Sequence, residues 1–419
     1  MVTLVLVDQA GEVLGQMPPF EVATPWWQEV GEIADRAGVQ VLRLLHGDRP
    51  APPGGHVTYL AESSGLAESS GLAESSGLAG SSGLAGSSGL AGSSGLAASS
   101  GLAASSGLAG SFGQVAPQRA AGVIDRAPQP HRASYAEVGG PAATMAWAAT
   151  HVEFARARQQ RTWNLSAIWR LDDASGEPVG WIKQVPAFFA HEPDALRMID
   201  AVAPGLVPPL LAAGPDGRML LAHRPGEDGY GAAADVCARI AEAFHPVQEH
   251  FVGHPMPAIP DRRGIDLAFA RPFEERIAGL GKLLDDLPRR LAEVAACGLP
   301  DTLVHGDLHP GNVRIGPDGR LTIMDWGDCC RGHPALDILR LTERLDDAEA
   351  VLRHWAYRWE LSVPGSEPRR AAELMRPMAA LWAAETYARF LAAIEPAEHP
   401  YHAADVPDRL AAAVEAARI

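Results

Sequence analysis

The sequence predicts an α+β fold, on two observations. Across residues 1–225, short stretches of alternating apolar and polar residues are separated by Gly-, Pro- and Asp-rich turns; beyond them, long segments carry apolar residues at helical spacing. Strands and helices segregated along a chain indicate an α+β architecture rather than alternating βα units.

The elements follow in order. Leu4 to Val7 reads as a strand, Asp8 to Gly11 as a turn and Glu12 to Met17 as the returning strand. Thr24-Pro25-Trp26-Trp27 is expected to open a helix, with Thr24 as N-cap and Pro25 at the first helical position, running to about Ala37 and ended by Gly38. Trp26 and Trp27 are expected to pack on a sheet. Val39 to Leu45 and His56 to Leu60 read as strands, and the pattern resumes at Gly122-Val123-Ile124-Asp125. Between them, residues 60–113 repeat the unit Ser-Ser-Gly-Leu-Ala-x. A six-residue period suits a left-handed β-helix, but one leucine per unit (Leu66, Leu72, Leu78) offers little apolar surface against chain entropy. A low-complexity insertion into the N-terminal module is the expectation.

Residues 143–158 read as a helix, Trp163 to Leu171 as a strand, Asp172 to Pro178 as a turn and Val179 to Val185 as a strand carrying Lys183. Glu192 lies at a helix start, and Arg218 to His223 forms a strand after the turn Gly214 to Gly217. Helical spacing marks 232–252, 271–297 (Ile277, Leu280, Leu284, Leu287 and Leu291 on one stripe), 349–359 and 369–394, the last expected to bend or break at Pro377.

Composition narrows the function. Asp plus Glu number 51 against 35 Lys plus Arg, a formal charge of -16, which argues against a nucleic-acid partner. The four cysteines lack zinc-site spacing and suit reduced thiols. No apolar run reaches the roughly 18–20 residues that span a bilayer, and the start lacks a basic leader. A cytoplasmic protein without membrane partners is expected.

The chemistry concentrates in residues 305–337: His-Gly-Asp-Leu-His-Pro-Gly-Asn, then Asp-Trp-Gly-Asp, then Gly-His-Pro-Ala-Leu-Asp. Asp307 precedes Asn312 by five residues and Asp325 by eighteen. Phosphoryl transfer from a nucleotide needs one carboxylate to orient and deprotonate a hydroxyl, plus hard oxygen ligands for magnesium on the phosphates. Strand signals at Thr302 to Val304, Asn312 to Ile315 and Arg320 to Met324 predict a hairpin that brings Asn312 and Asp325 together. His305 and His309 are expected to be hydrogen-bonded scaffold rather than metal ligands.

Over roughly residues 135–419 these linked motifs resemble the aminoglycoside phosphotransferase family, small-molecule kinases that share the protein-kinase fold. The resemblance implies a bilobal kinase-like body: a small α+β N-terminal module (1–132), a nucleotide lobe (133–225) and a helical lobe (226–419). It implies Asp307 as catalytic base, Asn312 and Asp325 as magnesium ligands, and Asp337 as a brace of the catalytic loop. It assigns Lys183 to the α- and β-phosphates, with Glu192 (or Asp194) fixing its ammonium, and the backbone of Leu221 to His223 to the adenine edge. ATP or GTP is the implied donor. The implied acceptor is a small hydroxyl compound: an aminoglycoside, amino sugar, sugar or amino alcohol. Trp355, Trp359, Trp382, Glu385 and Tyr387 are candidates for the acceptor wall. One departure stands out: no Gly-x-Gly-x-x-Gly precedes the Lys183 strand, and Gln159 to Asn164 occupies its place, leaving Arg161, Thr162 and Asn164 as candidate triphosphate contacts. A non-catalytic nucleotide sensor is the alternative; a protein kinase is disfavoured by the missing Ala-Pro-Glu.

Overall fold

The structure, a computed structural model, describes residues 1–49, 55–63 and 129–418. The repeat beyond residue 63 and the strand expected at Gly122 to Asp125 lie outside the described residues. The described residues form two compact units, one made of those before residue 185 together with 395–401, the other of 185–394 and 402–418.

In the first unit, β1 (Val2–Val7), β2 (Val13–Gln16), β3 (Val39–Gly47) and β4 (Val57–Ser63) form a sheet ordered β2-β1-β4-β3. β1 runs antiparallel to β2 and parallel to β4. The apolar side chains of Val5, Val7, Leu42 and Leu60 form a core against one face. α1 (Gly31–Ala37) ends where expected, because Gly38 adopts the left-handed conformation and its N–H donates to the Ala34 carbonyl at 2.9 Å. Its start corrects the expectation by six residues. Val30 N–H donates to the Gln160 carbonyl and Thr162 N–H to the Gln28 carbonyl, both at 3.1 Å, so this backbone is committed to strand pairing before the helix begins. Thr24 instead closes a local turn, its hydroxyl accepting from Trp26 N–H at 3.2 Å and donating to Glu29. Trp27 packs as expected, edge-on to Trp163.

α2 (Gly140–Ala149) is shorter than the helix expected over 143–158, because β5 (Arg156–Trp163) begins there and forms an antiparallel meander with β6 (Ser166–Asp172) and β7 (Pro178–Gln184). The Gln159 side chain joins the N-terminal sheet to this meander: buried, it accepts from Val41 N–H at 2.9 Å and donates to the Val41 carbonyl at 2.8 Å, a substitute rung between β3 and β5.

The second unit carries α3 (Glu192–Val202), the hairpin β8 (Leu210–Ala213) and β9 (Arg218–Ala222), and a helical body: α4 (Ala234–Phe251), α5 (Leu280–Ala296), α6 (Ala335–Thr342), α7 (Glu349–Ser362), α8 (Pro368–Ala393) and α10 (Asp405–Ala416), whereas the short α9 (His399–His402) belongs, but for its last residue, to the first unit. α8 packs against α5, α6, α7 and α10. It shows no break at Pro377; packing along its length outweighs the local cost of the missing N–H. α5 begins at Leu280 rather than near residue 271, leaving Ile277 outside the helix, while Leu280, Leu284 and Leu287 are buried as expected. Set among the helices are β10 (Glu227–Asp228), β11 (Thr302–Val304), β12 (Val313–Ile315), β13 (Leu321–Ile323) and β14 (Cys330–Gly332), which carry the motif residues. Among the described residues no helix is long and apolar enough to cross a membrane.

Candidate active site

The expected hairpin is present. β12 pairs antiparallel with β13, Val313 opposite Ile323, and Met324 N–H donates to the Asn312 carbonyl at 2.7 Å. Asn312 and Asp325 therefore flank the open end of one two-stranded ribbon. β14 returns to pair with β11, so the loops holding Asp307 and Asp325 are tied at their far ends as well. Their approach requires glycine: Gly306 has φ +85°, and a Cβ there would lie 2.4 Å from the Asp328 carbonyl.

Asp307 is buried and held on both carboxylate oxygens. Oδ1 accepts from Arg340 Nε at 2.8 Å, Oδ2 accepts from Asn312 Nδ2 at 3.2 Å, and His309 Nε2 lies 3.6 Å from Oδ2. Burial pushes this carboxyl up, but the Arg340 guanidinium and His309 outweigh it and hold the group well below the usual carboxylate range. Asp307 is thus held as an anion.

Asn312 also donates to the Asp307 carbonyl at 3.0 Å, while its Oδ1 is buried without a hydrogen-bond partner. A buried amide oxygen left unsatisfied costs on the order of 1–3 kcal/mol, and such an exception calls for a ligand or a functional reason. Asp325 has φ +61°, one of two non-glycine residues with positive φ among those described. Held strain of this kind clusters at functional sites. An anionic carboxylate and an orphaned amide oxygen fit magnesium, a hard cation that takes few protein oxygens and completes its shell with phosphates and water. Among the described residues no group of three or more His, Cys, Asp or Glu could hold a metal ion.

The surrounding residues are scaffold. His305, fully buried, accepts from Asp307 N–H on Nδ1 at 3.2 Å and donates through Nε2 to the Met324 carbonyl at 2.9 Å. Burial lowers its pKa to about 4, so it is the neutral strut expected. His309 accepts from Gly311 N–H on Nδ1. Asp337, at the start of α6, accepts from His305 N–H, Gly306 N–H and Gln248 Nε2, each at 3.0 Å, and thereby fixes the loop backbone ahead of Asp307. Glu192 is buried at the head of α3, where its Oε1 accepts from Trp326 N–H at 3.1 Å, anchoring the residue after Asp325. Leu221 stands opposite Leu210 in the β8–β9 hairpin, followed by His223 just past the strand.

Asp307, Asn312, Asp325, Glu192, Leu221 and His223 all belong to the second unit; Lys183 lies on β7 in the first, its side chain buried. The candidate triphosphate contacts are spent inside the first unit. Arg161 faces Glu29, the Thr162 hydroxyl donates to the Leu42 carbonyl, and Asn164 N–H donates to the Glu398 carboxyl group at 3.0 Å while its Oδ1 accepts from Glu395 N–H. Of the expected acceptor wall, Trp355 and Trp359 are core residues of α7, and Glu385 is neutralised by Arg262 at 2.7 Å, which also stacks over Trp382. Arg340 was not anticipated. Its spacing of three from Asp337 on one helix face was the available signal.

Comparison with protein families matches residues 184–374 to the phosphotransferase enzyme family. No curated protein matches in sequence. Among solved structures, the chain is similar to a choline kinase from Streptococcus pneumoniae at 12% identity, covering 66% of this chain and 99% of that one, with a TM-score of 0.49. It is similar to a macrolide 2'-phosphotransferase from Brachybacterium faecium at 16% identity, covering 65% and 97%, with a TM-score of 0.45. A third is an aminoglycoside phosphotransferase from Streptomyces rimosus, at 19% identity, covering 56% and 98%, with a TM-score of 0.38. The matched segment contains the His-Gly-Asp, Asn312, Asp325 and Asp337 constellation whole. The family match thus spans residues 184–374, somewhat less than half of the chain.

Proposed function

We propose that this protein is a magnesium-dependent kinase that moves the γ-phosphoryl group of ATP or GTP to a hydroxyl of a small molecule: an aminoglycoside, amino sugar, sugar or amino alcohol. The observation that carries the reading is the pairing of an ionised, doubly held Asp307 with the partnerless Asn312 Oδ1 at the end of the hairpin that leads to Asp325.

In this reading Asp307 accepts a hydrogen bond from the acceptor hydroxyl, aligns it with the phosphorus and takes its proton as the O–P bond forms and the nucleoside diphosphate leaves. A base held this low is a weak one; its main contribution is orientation, which suits a loose transition state in which the hydroxyl loses its proton late. Asn312 Oδ1 and the Asp325 carboxylate would hold magnesium, which when bound supplies positive charge to the phosphate oxygens. Lys183 is the residue assigned to the α- and β-phosphates, Glu192 is a further residue assigned to nucleotide binding, and the backbone of Leu221 to His223 meets the base of the nucleotide. The proposed protein acts in the cytoplasm, with residues 1–132 as an accessory module to a nucleotide lobe (133–225) and an acceptor lobe (226–419).

The test is phosphate transfer from γ-labelled ATP and GTP with magnesium to a panel of those acceptor classes, with Asp307→Asn as control. A labelled product that disappears in the variant is the expected result. Tight magnesium-nucleotide binding with no transfer to any acceptor or to water would replace the kinase with a nucleotide sensor.

A further inference from the structure

α6 holds the catalytic loop at two points one helical turn apart. Asp337 takes the backbone N–H groups of His305 and Gly306, and Arg340, on the same face, takes the side chain of Asp307. Arg340 is itself held from behind: its second nitrogen meets Glu343, and Glu343 also receives Arg409 from α10. The Arg340 side chain is largely buried, 17% exposed, against 12% for that of Asp307. Two rigid donors, Arg340 Nε on Oδ1 and Asn312 Nδ2 on Oδ2, define the plane of the carboxylate. A carboxylate oxygen has more than one lone pair, so Oδ1 can accept from Arg340 and from an acceptor hydroxyl together.

We propose that Arg340 is a positioning residue for phosphoryl transfer, fixing the Asp307 carboxylate so that its remaining lone pair meets the acceptor hydroxyl in line with the phosphorus. The role rests on the reading of Asp307 as the base. It follows from the chain Arg409–Glu343–Arg340–Asp307: a stack of alternating charges that ends on the reacting group and is anchored in the helical body. A misplacement of about 1 Å at such a centre costs on the order of 100-fold in rate.

The experiment uses the full chain with water as phosphoryl acceptor, read as magnesium-ATP hydrolysis, in wild type, Arg340→Ala and Asp307→Asn. Arg340→Ala is expected to lower kcat about 10- to 100-fold while leaving the KM for ATP within about twofold. Added methylguanidinium is expected to restore about tenfold of the loss, as a mobile replacement for the missing donor. A crystal structure of Arg340→Ala is expected to show the Asp307 carboxylate rotated out of its present plane. An unchanged kcat, a loss that methylguanidinium does not repair, or an Asp307 carboxylate in the same plane overturns the positioning role. Hydrolysis at the wild-type rate by Asp307→Asn would instead remove the base reading; a silent Asp307→Asn beside an unimpaired Arg340→Ala removes the positioning role alone.

Discussion

Replacing Asn312 by alanine separates two jobs of one side chain. Its Nδ2 donates to the Asp307 carbonyl and to the Asp307 carboxylate, whereas its Oδ1 is buried without a partner. Losing the neutral bond costs about 0.5–1.5 kcal/mol and losing the bond to the charged group about 1.5–3 kcal/mol. The same substitution removes an orphaned acceptor whose desolvation costs about 1–3 kcal/mol. The two effects largely offset, and the ligand-free variant should be only about 1–2 kcal/mol less stable than wild type. Nucleotide binding should change far more, because the orphaned oxygen is the one assigned to magnesium. Urea unfolding without ligand measures the first quantity. Thermal unfolding with ATP, in magnesium and then in a chelator, measures the second: a ligand at a hundred times its Kd adds about 2.7 kcal/mol. Wild type should gain stability from ATP chiefly when magnesium is present, and Asn312→Ala should keep only the magnesium-independent part. An equal magnesium-dependent gain in both proteins would refute the assignment of Oδ1. A ligand-free loss above about 4 kcal/mol would make Asn312 a structural strut instead.

Three further outcomes are expected. Asp307→Asn should cut turnover by about 10²- to 10⁴-fold with magnesium-ATP affinity nearly unchanged, as measured by steady-state kinetics and calorimetry. Gly306→Ala forces a side chain onto a positive φ and against the Asp328 carbonyl, so urea unfolding should show a loss of at least about 1–3 kcal/mol, with activity falling alongside. Glu398, buried beside Asn164, has its pKa pushed from 4.5 up to about 8, chiefly by burial. The folded state then keeps a proton that the unfolded state releases, so stability from this group falls as pH rises through that window, by up to about 1.4 kcal/mol per pH unit. Glu398→Gln lacks this proton, and its stability relative to wild type should rise between pH 5 and pH 8; parallel urea midpoints across that range would contradict the assignment.

Much of the site was legible in the sequence because its parts are close in the chain. His305 through Asp337 contain the strands, the turn and the polar residues of one local structure. Hairpin pairing needs only the alternation and turn chemistry that those residues display, so Asn312 and Asp325 could be brought together without knowing the rest. The N-terminal hairpin and the left-handed stop at Gly38 were readable for the same reason. Where the expectations failed, a distant partner had claimed the backbone or the side chain. The helix at Pro25 gave way to pairing of residues 28–30 with β5, and Arg161, Thr162 and Asn164 met Glu29, Leu42 and the pair Glu395 and Glu398. Trp355 and Trp359 satisfy a pocket wall and a core equally well as letters; their burial in α7 decided for the core. Patterning along the chain was enough to name the residue types of the candidate site and the local strands that present them. Three features came only with the packed fold: Arg340 closing on Asp307, Arg262 pairing with Glu385, and Asn312 keeping one oxygen partnerless. Charge pairing and desolvation act through space, and no periodicity along the chain records which side chains packing will bring together.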